Sequence, residues 1–190
     1  MSGILPQPQE TPPLVIVPGE NAEDAAALNG PDAVGTCSAQ GQNANLVSWW
    51  RFEGTTDPPV FNDSKGPNKI TFGTAFVAAP KVGTQSAGFN GTNFFGAPYN
   101  ASMDSASALT LDAWVQPTAA NASGRLMDHS AAGDASKGGY LLDLINNAPR
   151  FVISNGTTCF TDQSATVIPQ NVWTHVAATV EGGHLRSCIK

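Results

Sequence analysis

Residues able to act on a ligand are few and scattered along this chain. The three histidines, His129, His175 and His184, stand far apart, whereas zinc sites use closely spaced ligands. A Ser-His-Asp set can be drawn on paper, but no Gly-x-Ser-x-Gly elbow supports it. His175 shares a strand face with Trp173 and reads as a satisfied, partly buried histidine. His129 and His184 fall in loop-like contexts and read as exposed. Cys37, Cys159 and Cys188 also lack zinc spacing. Being odd in number, they allow at most one internal disulfide, with three free thiols as the alternative. The remaining chemistry is aromatic. Sugar rings are gripped by flat aromatic faces beside groups that hydrogen-bond hydroxyls. Phe94, Phe95 and Tyr99 lie in a Gly/Asn-rich segment expected to edge a sheet, and Trp49 shares a face with Arg51. For Phe95 and Trp49, burial in the core is the competing reading. Asp112 and Trp114 share one face of the best strand pattern and read as a buried polar contact.

The elements that must position these residues are short strands. Leu46–Phe52 alternates, with Val47, Trp49 and Arg51 on one face and Ser48, Trp50 and Phe52 on the other. Further strand patterns cover Lys69–Phe72, Ala87–Phe89, Asn93–Gly96, Ala108–Gln116, Gly139–Ile145, Arg150–Ser154, Ser164–Val167 and Val172–Val180. Gly, Asn, Pro or Asp punctuates nearly every gap, and no helical periodicity follows residue 45. Residues 1–45 differ. Five prolines between Pro6 and Pro18 exclude a helix there. Asn21–Leu28 has the cap signals of one short helix, and Pro31–Ala44 reads as a linker. The expected organisation is an arm over 1–45 and a β-domain over 46–190.

A chain of 190 residues with 9 basic and 15 acidic residues carries a net charge of −6. Nucleic-acid binding requires a basic stripe, and anionic membrane surfaces also attract basic segments, so neither partner is expected. No apolar run approaches the ~20 residues of a membrane-spanning helix. The amino terminus has no basic region followed by an apolar stretch, so no signal peptide is visible. The length suits one well-buried domain.

Several segments together resemble the laminin-G-like branch of the concanavalin A-like lectin/glucanase jelly rolls. They are Leu46–Gly54, Asn62–Gly66, Lys81–Gly83, Gly88–Gly91, Leu109–Pro117, Gly139–Asp143, Val172–Thr179 and Glu181–Arg186. The fold implied is all-β, an antiparallel jelly-roll β-sandwich with an extended N-terminal arm. Against the usual pattern of the family, the chain stops soon after Leu185-Arg186. A closing strand is therefore expected to be missing, or replaced by the arm through Leu14-Val-Ile-Val17.

The resemblance implies a non-catalytic carbohydrate-binding module acting on a polysaccharide or glycan, extracellular or surface-associated. The glucanases of the group set their carboxylates along one strand as Glu-x-Asp-x-x-Glu, and this chain has no such pattern, so an enzyme is not expected. The candidate ligand-binding residues are Trp49, Arg51, Phe94, Phe95 and Tyr99. Related jelly rolls often hold calcium at a rim, and Glu53, Asp63 and Asn90 are the candidate ligands for a structural Ca²⁺. Asn90 and Phe94 stand where relatives often have acids, and an Asx-turn is the competing role for Asp63. The alternative function is a structural or adhesive module of a surface or virion assembly, docking on a protein partner through its arm.

Overall fold

Alternation of apolar and polar residues builds two sheets from residues 108–189. The computed structural model describes residues 46–53, 55–56, 59–73, 76–104, 108–181 and 184–189. The arm, its expected helix over 21–28, the segment 14–17 and Cys37 lie outside the described residues. The strands are β1 (Thr55–Thr56), β2 (Pro59–Val60), β3 (Phe72–Gly73), β4 (Phe76–Ala78), β5 (Ser86–Gly88), β6 (Phe95–Gly96) and β7 (Ala108–Val115). They continue with β8 (Gly124–Ser130), β9 (Gly139–Ile145), β10 (Ala148–Ser154), β11 (Cys159–Gln163), β12 (Thr174–Glu181) and β13 (His184–Ile189). Among the described residues there is no α-helix, only three single 3₁₀ turns.

One sheet has the order β11-β10-β9-β8 and the other β13-β12-β7, antiparallel throughout. Short pairs, β1–β2, β3–β6 and β4–β5, complete the described pairing. The β9–β10 connection is a two-residue hairpin turn, Asn146-Asn147, with φ of 52° and 64°. Positive φ at both positions suits asparagine and matches the strand twist.

A single core joins the sheets. Leu111 and Ala113 of β7 and Val176, Ala178 and Val180 of β12 enter it from one side. Met127 of β8, Tyr140, Leu142 and Leu144 of β9 and Phe151 of β10 enter from the other. Trp50, Phe52, Phe61, Ile70 and Phe95 fill the remainder. This is the β-sandwich that the strand pattern implies. On the outer face of the smaller sheet, the buried His175 ring tilts against Trp114 at 5.3 Å, with Nε2 3.4 Å from Asp112. The polar contact read from Asp112 and Trp114 is therefore present.

Several strand readings need correction. Leu46–Phe52 has the faces expected, with Ser48, Trp50 and Phe52 buried, but among the described residues its one β-pairing is the bridge Trp50–Asp63. Phe52, at φ 56°, turns out of the extended conformation. Ser164–Val167 is a loop in which the Ser164 hydroxyl takes the Thr166 N–H at 3.0 Å. Among the strands of the two sheets, the alternation missed β8, β11 and β13, and His184, read as a loop residue, begins β13. The register of β8 is irregular between Arg125 and Met127, which interrupts its period of two. All but Asp162 in β11 are exposed, so no buried face marks it.

Asp63 holds the first described segment in place. Its carboxylate accepts the N–H groups of Trp49 at 2.8 Å, Lys65 at 2.9 Å and Asn68 at 3.2 Å. Burial pushes this carboxyl up, but the N–H groups of Gly66, Trp49 and Lys65 and the Ser48 hydroxyl outweigh it and hold it below the usual range. A carboxyl with a folded pKa below its unfolded value stabilises the fold above the unfolded value and loses that contribution as pH falls through the folded one. Urea unfolding across the acid range should therefore show less acid loss in Asp63→Asn than in the wild type. Equal slopes would remove Asp63 from this role.

Candidate ligand-binding site

A capped turn at the sandwich rim forms the site. Asn100 Oδ1 accepts the Ser102 N–H at 2.9 Å, and the Asp104 N–H closes on the Ala101 carbonyl at 3.1 Å. The resulting 3₁₀ turn, Ala101–Met103, brings Tyr99 and Asp104 together. The Tyr99 hydroxyl donates to Asp104 Oδ2 at 2.6 Å.

Two anchors fix this turn to the sandwich. The Met103 side chain is buried, and its carbonyl accepts the buried Tyr140 hydroxyl at 2.7 Å. Asn68 Nδ2 donates to Ser102 Oγ at 3.0 Å and to Ser48 Oγ at 2.6 Å, while the Asn68 carbonyl accepts Trp50 Nε1. The same buried amide thus ties the turn to the Trp49–Trp50 segment.

Strand β8 supplies the third member. His129 pairs with Tyr140 across β8–β9. Its ring lies 5.9 Å from that of Tyr99 at an interplanar angle of 7°, and 5.1 Å from that of Tyr140. His129 Nε2 sits 2.8 Å from Asp104 Oδ1. Gly139, at φ 99°, allows β9 to approach here, because a β-carbon would strike the His129 carbonyl oxygen. His129 is therefore a strand residue with its side chain only 10% exposed, which corrects its reading as an exposed loop residue.

The charges follow from these contacts. Hydrogen bonds from Tyr99 and then His129 hold the Asp104 carboxyl below its ordinary range. The bond to Asp104 raises the Tyr99 phenol. Burial raises Tyr140 strongly, and the Asp104 charge adds to that rise. An ionised carboxylate only accepts, so the His129 Nε2 in this contact carries the proton. Tyr99 is 58% exposed and the Asp104 side chain 50%. Each Asp104 oxygen uses one acceptor site internally and keeps another for a ligand. An open aromatic face beside a half-exposed carboxylate is a combination able to grip a polyhydroxylated ring.

Among the sequence candidates, only Tyr99 belongs to this cluster. Phe94 is 47% exposed and meets Phe72 edge-on at 6.4 Å. Phe95 is fully buried against Phe52, Phe61 and Phe89, so its place is the core. Alternation about β6 turns one ring in and its neighbour out. Trp49 is half-buried, with the exposed Arg51 guanidinium 5.5 Å from its ring centroid. Glu53 accepts the N–H and hydroxyl of Thr84, Asp63 closes its own turn, and Asn90 Oδ1 accepts from Thr92. Glu53 thus holds a distant loop residue, while Asp63 and Asn90 each serve a local turn. Among the described residues, no three His, Cys, Asp or Glu side chains form a metal-holding group.

Sequence reasoning missed Asp104 and His129. The Asn100–Asp104 cap pattern was the signal for the first. For His129 the signal was the spacing of Met127 and His129, obscured by the irregularity before them.

A family model described as the concanavalin A-like lectin/glucanases superfamily, of laminin-G type, matches residues 89–189. The chain belongs to this superfamily. The matched span takes in strands β6 to β13 and all of Tyr99, Asp104, His129 and Tyr140, whereas Trp49, Arg51, Glu53 and Asp63 precede it. The superfamily includes lectins and glucanases, and its jelly-roll sandwich is the fold seen here. Comparisons with curated proteins and with solved structures find no match.

In this lectin/glucanase-type domain, Tyr140→Phe would leave the buried Met103 carbonyl without its phenol. The expected loss is about 1 kcal/mol in urea unfolding. An unchanged midpoint would mean that the turn does not depend on this bond.

Proposed function

We propose that this domain is a non-catalytic carbohydrate-binding module, with Tyr99 as the stacking platform and Asp104 as the hydroxyl acceptor. The observation carrying this reading is the exposed Tyr99 ring held by Asp104 and His129 at the rim of a sandwich from a lectin-containing superfamily. The carboxylate's surroundings favour binding over hydrolysis. Glycosidases set two carboxyl groups roughly 5–9.5 Å apart across the scissile bond, whereas Asp104 is engaged by a phenol and an imidazole.

An extracellular or surface location accompanies this reading. Cys188 is disulfide-bonded while Cys159 is free and exposed, and structural disulfides persist in oxidising compartments. Structural calcium at Glu53, Asp63 or Asn90 remains part of the proposal as a variable of the binding assay.

A glycan array probed with and without calcium tests the reading. Binding is expected, and Tyr99→Ala should weaken it about tenfold through lost stacking. Because Tyr99 is exposed, the same variant should unfold within roughly 0.5 kcal/mol of the wild type. Silence across the array, with concentration-dependent self-association, would favour the protein-packing alternative. The exposed Phe72, Phe89 and Phe94 suit that alternative. Release of reducing sugar from a polysaccharide would replace both readings with an enzyme.

A further inference from the structure

The contacts around Tyr99 define a hydrogen-bonding polarity. The phenol's only proton is engaged with Asp104 Oδ2, so its outward lone pairs accept. Asp104 is ionised, and its partners are the Tyr99 hydroxyl and the His129 ring. The surface offered by Tyr99 and Asp104 therefore combines carboxylate and phenol acceptors with the negative face of an aromatic ring. Such a surface prefers donors, and above all a positive charge over the ring.

The chain's charge distribution acts in the same direction at longer range. Residues 1–45 contain Glu10, Glu20, Glu23, Asp24 and Asp32 and no basic residue, within a chain of net charge −6. The summed field attracts cations and repels uronate or sulfate polymers.

We propose that the Tyr99–Asp104 site selects amine-bearing glycans, with the sugar ring against Tyr99 and its ammonium group on the Asp104 carboxylate. This selectivity rests on the carbohydrate-binding reading and goes beyond it by naming the ligand's charge. The ammonium replaces a neutral hydroxyl as donor, and the ring face adds a cation–π contact.

The test compares a glucosamine tetramer with its N-acetylated counterpart by calorimetry on the full chain. A fixed-charge N-trimethylated tetramer and an oligogalacturonate complete the set. The free-amine or trimethylated ligand should bind about tenfold more tightly than the acetylated one, combining a cation–π contact with a half-exposed ion pair. Raising the salt concentration should erode this advantage. Asp104→Asn should erase most of the preference, so that the free-amine and acetylated tetramers bind within about threefold of one another. Tyr99→Ala should weaken all productive ligands. Equal or tighter binding of the acetylated tetramer, or a preference for oligogalacturonate, would overturn the charge selectivity and leave carbohydrate binding intact. A preference surviving Asp104→Asn would transfer it from this site to the net charge of the chain and also overturn the proposal. If no tetramer binds and the glycan array is also silent, the underlying reading fails as well.

Discussion

The hydrogen bond from the Tyr140 phenol to the Met103 carbonyl links the sandwich core to its rim. A buried phenol needs a polar partner, and an unsatisfied buried carbonyl is costly. Here each answers the other at 2.7 Å. The bond fixes the 101–103 turn relative to β9. Because His129 sits opposite Tyr140 on β8, the same ring also fixes the imidazole that backs Tyr99. The proposed binding surface is thus the exposed end of a stack whose base is core. Asn68 adds a second tie, from the turn to the Trp50 segment, without entering the site.

This construction puts rigidity where a weak-binding surface needs it. Sugar recognition depends on shallow stacking and a few hydrogen bonds, so freezing mobile groups on binding would consume much of the affinity. Tyr99 is held by Asp104 on its hydroxyl and His129 on one ring face, which leaves the other face for the proposed ligand. Asp104 is held twice and still exposes half of its side chain. In the proposed site the carboxylate is thus a positioned acceptor before any ligand arrives.

The sequence made the sandwich legible where burial imposes alternation. Strand β9 matches its pattern over Gly139–Ile145, and β7, β10 and β12 differ from theirs by no more than two residues at either end. Each sends a regular apolar face into the common core. Strand β8 breaks the period at its irregularity, and β11 lies at a sheet edge with little to bury, so neither carries that signature. Leu46–Phe52 shows the converse limit: its in-and-out pattern is right, but one bridge and a turn at Phe52 replace the ladder. The site divides in the same way. Tyr99 could be picked out from local composition alone. Its partnership with His129 requires β8 beside β9 and a capped turn against both, a juxtaposition of residues 30 apart that depends on topology.

The most direct test of the account is an NMR titration of the histidine ring resonances with the tightest ligand from the glycan array. His129 alone among the three histidines lies against Tyr99, while His175 faces Asp112 and Trp114 on the other sheet and His184 lies on β13. The account predicts saturable shifts of the His129 ring with His175 and His184 unmoved. Shifts confined to His175 or His184, or tight binding that leaves His129 unchanged, would contradict it.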